Sequence, residues 1–411
     1  MNDLAGKHIV LGLTGGIACY KAAELCRALI KEGATVQVVM TAAAQQFITP
    51  VTMQALSNRP VYESQWDARE PNNMAHINLS READAILIAP CSADFMAKLL
   101  HGRGDDLLSL LCLARPIGQV PLLVAPAMNR EMWAHPATVR NVTQLKADGA
   151  TVFDVGCGEQ ACGDSGDGRM LEALELLQEV VASFQPKILA GRQMLVTAGP
   201  TYEAIDPVRG ITNLSSGKMG FAIACAAHEA GAAVTLVAGP VHLPTPRGVS
   251  RIDVSSAQQM LEATMAQAPK ADIFVATAAV ADWRPANAAE RKIKKDGSGA
   301  MPALELIENP DILATLARSE RARSGALYCV GFAAESHDLL ANAQAKRLRK
   351  GVPLLVGNIG PATFGQDDNA LLLVDGSGTT EMARDSKIAL ARRLIAEISA
   401  RIPNRGALHE D

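Results

Sequence analysis

The chain contains 411 residues with a mass of 43.3 kDa, enough for two or three domains at roughly 150 residues each. Its 39 Lys and Arg against 43 Asp and Glu give a net charge of −4, which argues against general nucleic-acid binding. The absence of a long apolar run or a secretory signal pattern predicts a cytoplasmic protein without membrane partners. The eight scattered cysteines do not suggest a disulfide framework.

The first forty residues predict a strand, a glycine-rich turn, a helix and a second strand. Residues 8–13 form an apolar strand, a helix with apolar residues at helical spacing covers about 18–32, and 35–40 form another buried strand. The turn between them is Thr14-Gly15-Gly16-Ile17. Such a turn presents backbone N–H groups to a phosphate at a helix N-terminus. It lacks the G-x-G-x-x-G pattern, so a simple tight turn remains the alternative.

Small and hydroxyl-bearing residues follow the next strands of this half. Thr41 follows the second strand, and Ser92 and Ala93 lie just beyond a strand predicted at 85–89. Open α/β sheets bind their ligands at the carboxyl ends of the strands, so these residues favour a nucleotide-like cofactor.

Two single polar residues are candidates for the chemistry of this half. Asn129 follows a strand predicted at 121–125 and can either bind a carboxylate or form an Asx turn before the next helix. His76 precedes the third strand, and a lone histidine is either structural or catalytic.

A loop rich in glycine and polar residues, 161–170, contains Cys162. Because it has too few apolar residues for core packing, it is either a long turn or a flexible lid with a reactive thiol. Cys157 lies nearby, but two thiols without histidine partners are poor evidence for zinc, and we interpret Cys157 as incidental. A helix over about 170–183 then leads to a domain boundary near 190.

The second half repeats the same design. A strand at 193–197, a helix opened by 215–218 and a strand at 233–237 begin it. Further strands are predicted at 272–276, 327–332, 353–357 and 370–374. The fold class predicted is therefore α/β, with two doubly wound, parallel-sheet, Rossmann-like domains at 1–190 and 191–411. The residues from Pro403 onward have no periodicity and are expected to form a tail.

Basic residues of the second half are candidates for binding a triphosphate. Lys292, Lys294 and Lys295 lie in a polar loop over 282–299, and Lys346 and Lys350 lie one helical turn apart. For any one of these lysines, a solvated surface charge is the alternative. The segment 215–218, Ser-Ser-Gly-Lys, is not a Walker A motif because residue 219 is Met, yet it suits a helix N-terminus that faces an anion.

The ordered set of motifs resembles known families. The Thr14 turn, the His76 segment, 126–129 and 161–170 resemble the flavin-containing cysteine decarboxylases. With 213–220 and 292–295 added, about residues 6 to 400 resemble the bacterial bifunctional phosphopantothenoylcysteine decarboxylase/phosphopantothenate–cysteine ligases of coenzyme A biosynthesis.

For the first half, the resemblance implies FMN and an oxidative decarboxylation. His76 matches the catalytic histidine near the flavin, Asn129 the residue that grips the substrate carboxylate, and Cys162 the proton donor of the final reduction. The residues matched to FMN binding are Thr14, Gly15, Gly16, Ile17, Thr41, Ser92 and Ala93. The flavin is expected to oxidise the substrate thiol to a thioaldehyde, beside which CO₂ leaves easily.

For the second half, the resemblance implies ligation of 4′-phosphopantothenate to cysteine with CTP and Mg²⁺, without naming the metal ligands. Asn213 is expected to stabilise an acyl-cytidylate with Arg209 and Ala279 nearby, and Lys292 to assist attack by cysteine. The residues matched to CTP are Ala276, Thr277, Ala278, Asp282, Lys292, Asn309, Pro310, Asp311, Ile312, Phe332, Lys346 and Lys350. Thr212 and Leu214 depart from the usual Ser and His, which leaves the cysteine site less defined.

The resemblance also implies a homo-oligomer, with trimers of the first domain and dimers of the second building a dodecamer. Two other functions are alternatives on the residues alone. The first is a dinucleotide-dependent oxidoreductase, which is disfavoured because neither glycine turn matches the fingerprint and no acidic residue ends the second strand. A non-catalytic nucleotide-binding scaffold predicts that substitutions at His76, Asn129 or Lys292 change nothing.

Overall fold

A computed structural model describes residues 2–67, 69, 72–294, 304–335, 337–359 and 365–402. The chain divides into two compact units, Met1–Phe184 and Gln185–Asp411. Lys295 and the tail predicted from Pro403 onward lie outside the described residues. Within the described ranges, no helix combines the length and the apolar character that a membrane crossing requires.

The described part of the first unit contains a five-stranded parallel sheet and an antiparallel hairpin. The sheet strands are β1 (His8–Leu13), β2 (Thr35–Met40), β3 (Ala85–Cys91), β4 (Leu122–Pro126) and β5 (Thr151–Val152), and the hairpin strands are β6 (Gly156–Glu159) and β7 (Ser165–Arg169). The helices are α1 (Cys19–Lys31), α2 (Pro50–Ser57), α3 (Ala75–Glu82), α4 (Ala93–Leu100), α5 (Leu107–Ala114), α6 (Arg130–Ala134), α7 (Pro136–Ala147) and α8 (Ala173–Phe184).

The strand order of this sheet is β2-β1-β3-β4-β5, so the direction of chain progression reverses between β1 and β3. In an open α/β sheet, that reversal leaves a crevice at the carboxyl ends of the two strands, and this order is the one in which flavodoxin-like proteins bind FMN. The fold therefore places its ligand crevice beside the Thr14 turn.

The apolar strands of the first unit are buried on both faces, as the continuous apolar runs predict. In β1, Ile9 and Leu11 pack in the core on one face, and Val10 packs on the other with Ile86 of β3. All four side chains are fully buried. Each stabilises the fold by about 1.5–3 kcal/mol, which makes this sheet a rigid base for the loops at its edge.

The second unit has a larger sheet with the same kind of reversal. Its strands are β8 (Gln193–Ala198), β9 (Tyr202–Ala204), β10 (Gly210–Thr212), β11 (Ala233–Ala238), β12 (Val249–Asp253), β13 (Ile273–Ala276), β14 (Trp283–Pro285), β15 (Leu306–Glu308), β16 (Tyr328–Glu335), β17 (Leu354–Ile359), β18 (Asp368–Val374) and β19 (Thr379–Ser386). Its helices are α9 (Lys218–Glu229), α10 (Ala257–Gln267), α11 (Ile312–Ala317), α12 (Glu320–Arg323), α13 (Leu339–Lys350) and α14 (Lys387–Arg401).

Among the described residues, the main sheet has the order β12-β11-β8-β13-β16-β17-β18-β19. The reversal lies between β8 and β13, so the crevice of this unit lies at the carboxyl ends of those strands. The last two strands pair antiparallel, unlike the rest of the sheet. A tight turn in which the N–H of Asp375 donates to the carbonyl of Gly378 (3.0 Å) joins β18 to β19, and so short a connection permits only antiparallel pairing.

The α/β fold class and the strands predicted from apolar runs are confirmed, with end positions that differ by a few residues. Strands β12 and β19 were not predicted, because both are mostly polar and exposed or half-exposed. The short strands β5, β6, β7, β9, β10, β14 and β15 were not predicted either. They are two to five residues long and are mostly polar or half-exposed, so they carry no apolar pattern that distinguishes them from loops.

Candidate functional site

Thr14 joins the carboxyl ends of β1 and β3 through its buried hydroxyl. The hydroxyl donates to the carbonyl of Pro90 (2.7 Å) and accepts from the N–H of Ser92 (2.9 Å). Thr14 is only 2 % exposed, so its hydroxyl braces the crevice from inside. Ser92 in turn caps α4, since its own hydroxyl accepts from the N–H of Phe95 (3.2 Å).

The backbone of the glycine turn faces open space at the same edge. A Cβ on Gly15 would lie 2.7 Å from the Cβ of Ala43, which follows β2, whereas a Cβ on Gly16 would meet nothing within 4 Å. In the described structure, the amides of Gly15, Gly16 and Ile17 donate to no protein acceptor. Ile17 is 62 % exposed. Free amides beside an exposed apolar side chain fit a cofactor that has a phosphate and a large planar ring.

Thr41 and Ala93 complete this edge. The hydroxyl of Thr41 donates to the carbonyl of Leu13 (3.3 Å) and accepts from the N–H of Ala44 (3.2 Å), which ties the loop after β2 to the end of β1. Ala93 is the first residue of α4, directly after the Ser92 cap. The residues predicted to bind FMN therefore lie together at the β1/β3 reversal. The hydroxyls of Thr14 and Thr41 hydrogen-bond to the protein and hold the walls of the crevice in place.

His76 is the second residue of α3 and is half-buried. Within the described residues, its imidazole has no hydrogen-bond partner, and no hydrogen bond links it to Asn129 or Cys162. The structure therefore leaves both imidazole nitrogens available, which a group that binds a ligand requires and a satisfied core histidine does not show.

Asn129 is both an N-cap and an outward-facing amide donor. Its Oδ1 accepts from the N–H of Glu131 (2.8 Å), which fixes the side chain at the start of α6. Because Oδ1 is committed to the cap, the orientation of the amide is set and Nδ2 faces the exposed side. The two interpretations of the sequence, turn residue and carboxylate-binding residue, are thus compatible in one geometry.

The β6–β7 hairpin brings Cys162 to Asn129. Nδ2 of Asn129 donates to Sγ of Cys162 (3.2 Å) and to Oδ2 of Asp164 (2.8 Å), and the Cys162 thiol donates to the same Asp164 oxygen (3.3 Å). The hydrogen bond from Asn129, followed by that from Cys162, lowers the pKa of Asp164. Asp164 belongs to the quoted motif but was not predicted as a site residue, because its contact with Asn129 depends on the hairpin.

Two hydrogen bonds from the backbone of the Asn129 loop anchor the hairpin, one near its base and one at its turn. The N–H of Met128 donates to the carbonyl of Gly168 (2.9 Å), and the N–H of Arg130 donates to Oε1 of Gln160 (3.0 Å). A Cβ on Gly168 would lie 2.5 Å from the carbonyl oxygen of Met128, so only glycine permits this approach. The hairpin is thus held against the Asn129 loop both near its base and at its turn.

A cavity of about 410 Å³ lies at the carboxyl ends of β8, β13 and β16 in the second unit. Its lining contains most of the residues matched to CTP: Ala276, Ala278, Asp282, Asn309, Pro310, Asp311, Ile312, Phe332, Lys346 and Lys350. These residues come from segments up to 74 positions apart in the chain, and the fold gathers them at one site.

The two lysines of α13 differ in this cavity. Lys350 forms an ion pair with Asp311, whose Oδ1 caps α11 by accepting from the N–H of Ala314 (2.9 Å). Lys346 has no hydrogen-bonded or ion-paired partner within the described structure. Burial lowers the pKa of Lys346, and the Glu335 carboxylate partly opposes this shift. Lys346 is therefore a half-buried cation directed at a cavity without a counter-charge in contact.

Asn309 shapes the rim of this cavity. Its Nδ2 donates to the carbonyl of Ala281 (2.8 Å), and its Oδ1 accepts from Nη1 of Arg284 (3.0 Å). The N–H of Asn309 donates to the carbonyl of Asp282 (2.8 Å). Asn309 thus closes the loop after β13 against the segment before α11.

An adjoining cavity of about 440 Å³ shares Ala278, Val280, Asp282, Phe332 and Lys346 with the first. It extends to the N-terminus of α9, and its lining adds Asn213, Ser215, Ser216, Gly217, Lys218, Thr277, Ala279, Asn358, Asn369 and Lys387. Nδ2 of Asn213 donates to the carbonyl of Ala279 (2.9 Å), which joins two residues predicted to lie at the acyl-cytidylate.

Asn358, Asn369 and Lys387 were not predicted as site residues. They come from β17, β18 and the start of α14, and burial lowers the pKa of Lys387 with a further contribution from Lys218. No motif marks them, because it is the sheet order that brings them to the cavity. The single signal for them in the sequence is an asparagine near one end of an otherwise apolar strand, as at Asn358 and Asn369.

Arg209 and Lys292 lie outside both cavities. Arg209 forms an ion pair with the buried carboxylate of Asp206, with 3.0 Å between Nε and Oδ2, and its Nη2 donates to the carbonyl of Ile293 (2.9 Å). Asp206 also accepts from the N–H of Ile293 (3.1 Å), and the Arg209 hydrogen bond holds the pKa of Asp206 far below its usual range. Asp206 and Arg209 thus tether the loop on which the exposed Lys292 lies.

The described residues contain no group of three His, Cys, Asp or Glu side chains placed to hold a metal ion. Asp282 and Asp311 line the cavity. Magnesium is commonly held by one or two carboxylates together with substrate phosphates, and this lining fits that mode.

Both halves of the chain match known families. Residues 1–185 match the family described as Flavoprotein, and residues 189–402 match the family described as DNA/pantothenate metabolism flavoprotein C-terminal domain.

Curated relatives match over nearly the whole chain. The coenzyme A biosynthesis bifunctional protein CoaBC of Vibrio cholerae is 50 % identical over 394 residues, covering 95 % of this chain and 97 % of that protein. Its Escherichia coli K12 counterpart is 45 % identical over 404 residues, covering 97 % and 98 %. A crystal structure of the C-terminal domain of a CoaBC protein is 36 % identical, with a TM-score of 0.44, and covers 52 % of this chain and 97 % of that one.

Proposed function

We propose that this chain, which belongs to the family of the coenzyme A biosynthesis bifunctional proteins, divides its two activities between its two units. The chain has decarboxylase and ligase activities in coenzyme A biosynthesis. The domain at 1–190 carries the decarboxylase and the domain at 191–411 the ligase. The observation that supports this division most directly is that each strand-order reversal gathers its own set of motif residues.

The first unit binds FMN at the β1/β3 reversal. The free amides of Gly15, Gly16 and Ile17 receive its phosphate, and Thr14 and Thr41 hold the surrounding loops in place. When bound, FMN supplies a two-electron oxidant for the substrate thiol and returns the electrons at the end of the reaction. The substrate is 4′-phosphopantothenoylcysteine and the product 4′-phosphopantetheine.

Asn129, Cys162 and His76 act on the substrate's cysteine end. Nδ2 of Asn129 donates to the substrate carboxylate, a role its cap geometry prepares by fixing the amide orientation. The Cys162 thiol, exposed and near Asn129, donates a proton to the reduced product. His76 has both nitrogens available to orient the substrate near the cofactor.

Substitution of Cys162 by Ser tests this assignment. In a reaction supplied with 4′-phosphopantothenoylcysteine, Cys162→Ser should release CO₂ but accumulate an oxidised enethiol product, measured by mass spectrometry. Cys157→Ser, on the same hairpin, is the matched control and should give normal phosphopantetheine. Normal output from Cys162→Ser would contradict the proton-donor role.

The second unit binds CTP in the cavity bordered by β13 and β16. Phe332 offers an aromatic face, Lys346 a half-buried cation for the triphosphate, and Asp282 and Asn309 polar groups for the nucleoside. Mg²⁺ accompanies the triphosphate. CTP activates the carboxylate of 4′-phosphopantothenate as an acyl-cytidylate, and cysteine then displaces CMP.

Asn213 and Lys292 serve the two steps of this ligation. Asn213, held by the Ala279 carbonyl, stabilises the acyl-cytidylate in the adjoining cavity. Lys292 lies on the loop tethered by Arg209 and Asp206, which brings its cation to the intermediate when cysteine attacks.

Asn213→Asp tests the second assignment. The carboxylate cannot donate to Ala279 or to the intermediate, so phosphopantothenoylcysteine formation should fall by roughly 10²–10³, as when one transition-state donor is lost. Decarboxylation of supplied phosphopantothenoylcysteine should be unchanged, which serves as the internal control for folding. Equal loss of both activities would indicate a structural role instead.

The enzyme is proposed to work in the cytoplasm as a homo-oligomer, with trimers of the first unit and dimers of the second building a dodecamer. Sedimentation equilibrium of the full chain tests the assembly. A mass of twelve chains supports it, and a monomer overturns it.

A further inference from the structure

The Asp164 carboxylate accepts a hydrogen bond from the side-chain amide of Asn129, the group that is expected to bind the carboxylate of the substrate. Nδ2 of Asn129 donates to Oδ2 of Asp164 at 2.8 Å, a normal length for a bond between an amide and a carboxylate. The pKa of Asp164 is lowered by this bond and by that from Cys162, so the side chain is ionised at neutral pH. The protein thus presents to Asn129 the same chemical group that the substrate brings.

We propose that Asp164 occupies the carboxylate subsite of the decarboxylase in the absence of substrate and is displaced by the substrate's own carboxylate. This inference rests on the proposed role of Asn129. Because Oδ1 of Asn129 is committed to the N–H of Glu131, the amide cannot turn to serve a second acceptor elsewhere. Two ionised carboxylates at one amide nitrogen repel each other, so the incoming carboxylate and Asp164 exclude one another.

The hairpin geometry permits this exchange. The hairpin is held by the bonds from Met128 to Gly168 and from Arg130 to Gln160, and its turn by the N–H of Gln160, which donates to the backbone carbonyl of Asp164 (2.7 Å). The contacts of the Asp164 side chain are with Asn129 and Cys162. Asp164 is exposed, and a Cβ on its neighbour Gly163 would meet nothing within 4 Å, so no side chain packs against the tip at that point. Displacement therefore breaks two side-chain contacts and leaves the hairpin anchored.

The same exchange discriminates substrate from product. The substrate has a carboxylate that competes with Asp164, and the product has lost it as CO₂. Once the carboxylate is gone, Asp164 regains Asn129 and the Cys162 thiol. Asp164 is therefore a specificity-determining residue: it weakens the binding of carboxylate-bearing ligands, which must displace it from Asn129, and it does not compete with the product, which has no carboxylate.

The test compares two ligands that differ in the carboxylate alone, with the flavin-loaded full chain and isothermal titration calorimetry. One probe is 4′-phosphopantothenoylserine, in which oxygen replaces the reactive sulfur, and the other is 4′-phosphopantothenoylethanolamine, which lacks the carboxylate. Asp164→Ala should tighten the serine probe by roughly tenfold relative to the ethanolamine probe, equivalent to about 1.4 kcal/mol. Asp164→Asn, which keeps the shape and removes the charge, should shift the ratio in the same direction. Asp167→Ala, the exposed aspartate of β7, should leave it unchanged.

A second measurement reports on the thiol without catalysis. The Cys162 thiol is held by its hydrogen bond to Asp164, so Asp164→Asn, which weakens that bond and frees the sulfur, should make Cys162 react severalfold faster with iodoacetamide at neutral pH. Cys157, also exposed on the hairpin, is the internal reference in the same peptide-mass experiment.

The outcomes separate this inference from the proposed function. Suppose that the wild type prefers the serine probe and that Asn129→Ala removes this preference; Asn129 then keeps its role. If Asp164→Ala in that case leaves the ratio of the two affinities unchanged, or weakens the serine probe, the inference about Asp164 is wrong. If the wild type binds both probes equally and Asn129→Ala changes neither, the carboxylate subsite itself is wrong. An unchanged alkylation rate in Asp164→Asn also contradicts the inference.

Discussion

Thr14→Val tests whether the glycine-turn threonine braces the flavin crevice from inside or binds the flavin through its hydroxyl. Valine keeps the shape and removes the hydroxyl that links the two strand ends. Two hydrogen bonds of about 1 kcal/mol each are lost, and the N–H of Ser92 loses its acceptor, which costs roughly 1–3 kcal/mol more if it stays buried. The carbonyl of Pro90 keeps the N–H of Thr14 at 3.3 Å, so no second group is orphaned.

The sum is a loss of about 2–5 kcal/mol in the free energy of unfolding of the first unit, or roughly 4–20 °C in its melting temperature. Thr14→Ser is the control, because it keeps the hydroxyl and loses one methyl group worth about 0.8 kcal/mol. Urea unfolding of flavin-free protein measures the stability, and fluorescence titration with FMN measures affinity. If flavin-free Thr14→Val unfolds at the same urea concentration as the wild type while its FMN affinity falls, the bracing role is refuted.

Two further predictions concern the second unit. Because burial lowers the pKa of Lys346, its cation should be lost at a lower pH than that of an ordinary lysine; the KM for CTP should therefore rise with pH, and Lys346→Arg, which stays charged, should flatten that rise. A pH-independent KM in the wild type would contradict this. In Gly220→Ala, the added Cβ would lie 2.4 Å from Oγ1 of Thr277 and 2.5 Å from the Cβ of Ala198, so the second unit should lose about 1–3 kcal/mol of stability together with ligase activity. Gly376→Ala, where nothing lies within 4 Å, is the control, and equal effects of the two in thermal melts would rule out the steric argument.

The two sheets were predictable because their strands are continuous apolar runs, such as β1, separated by turns and helices of ordinary length. The antiparallel pairing at the far edge was not predicted, since β18 and β19 are joined by a tight turn that no apolar pattern reveals. Periodicity gives the existence of a strand, and only the connection decides the direction in which it pairs.

Candidate residues that follow strands were predictable because strand ends converge at one edge of a sheet. Asn129 lies where that rule places it, whereas Phe332, which was matched through the resemblance, lies within β16. Asn369 and Lys387 were missed, since they reach the cavity through strand order rather than through a motif. The sequence also did not reveal what each side chain contacts. Thr14 was matched to the flavin, but its hydroxyl forms its hydrogen bonds with the protein itself.

The contact between Asn129 and Asp164 could not be predicted from the sequence either. The two residues are 35 positions apart, and a hairpin of mostly glycine and polar residues brings them together. A loop of that composition is compatible with many conformations, so its sequence identifies the reactive thiol and leaves the thiol's neighbours undetermined.

The measurement that tests the central claim most directly is a reaction of the full chain with 4′-phosphopantothenate, cysteine, CTP and Mg²⁺, followed by mass spectrometry. The account predicts 4′-phosphopantetheine together with CMP and pyrophosphate, in protein that carries FMN. Folded, flavin-loaded protein that forms neither phosphopantothenoylcysteine nor phosphopantetheine would contradict it.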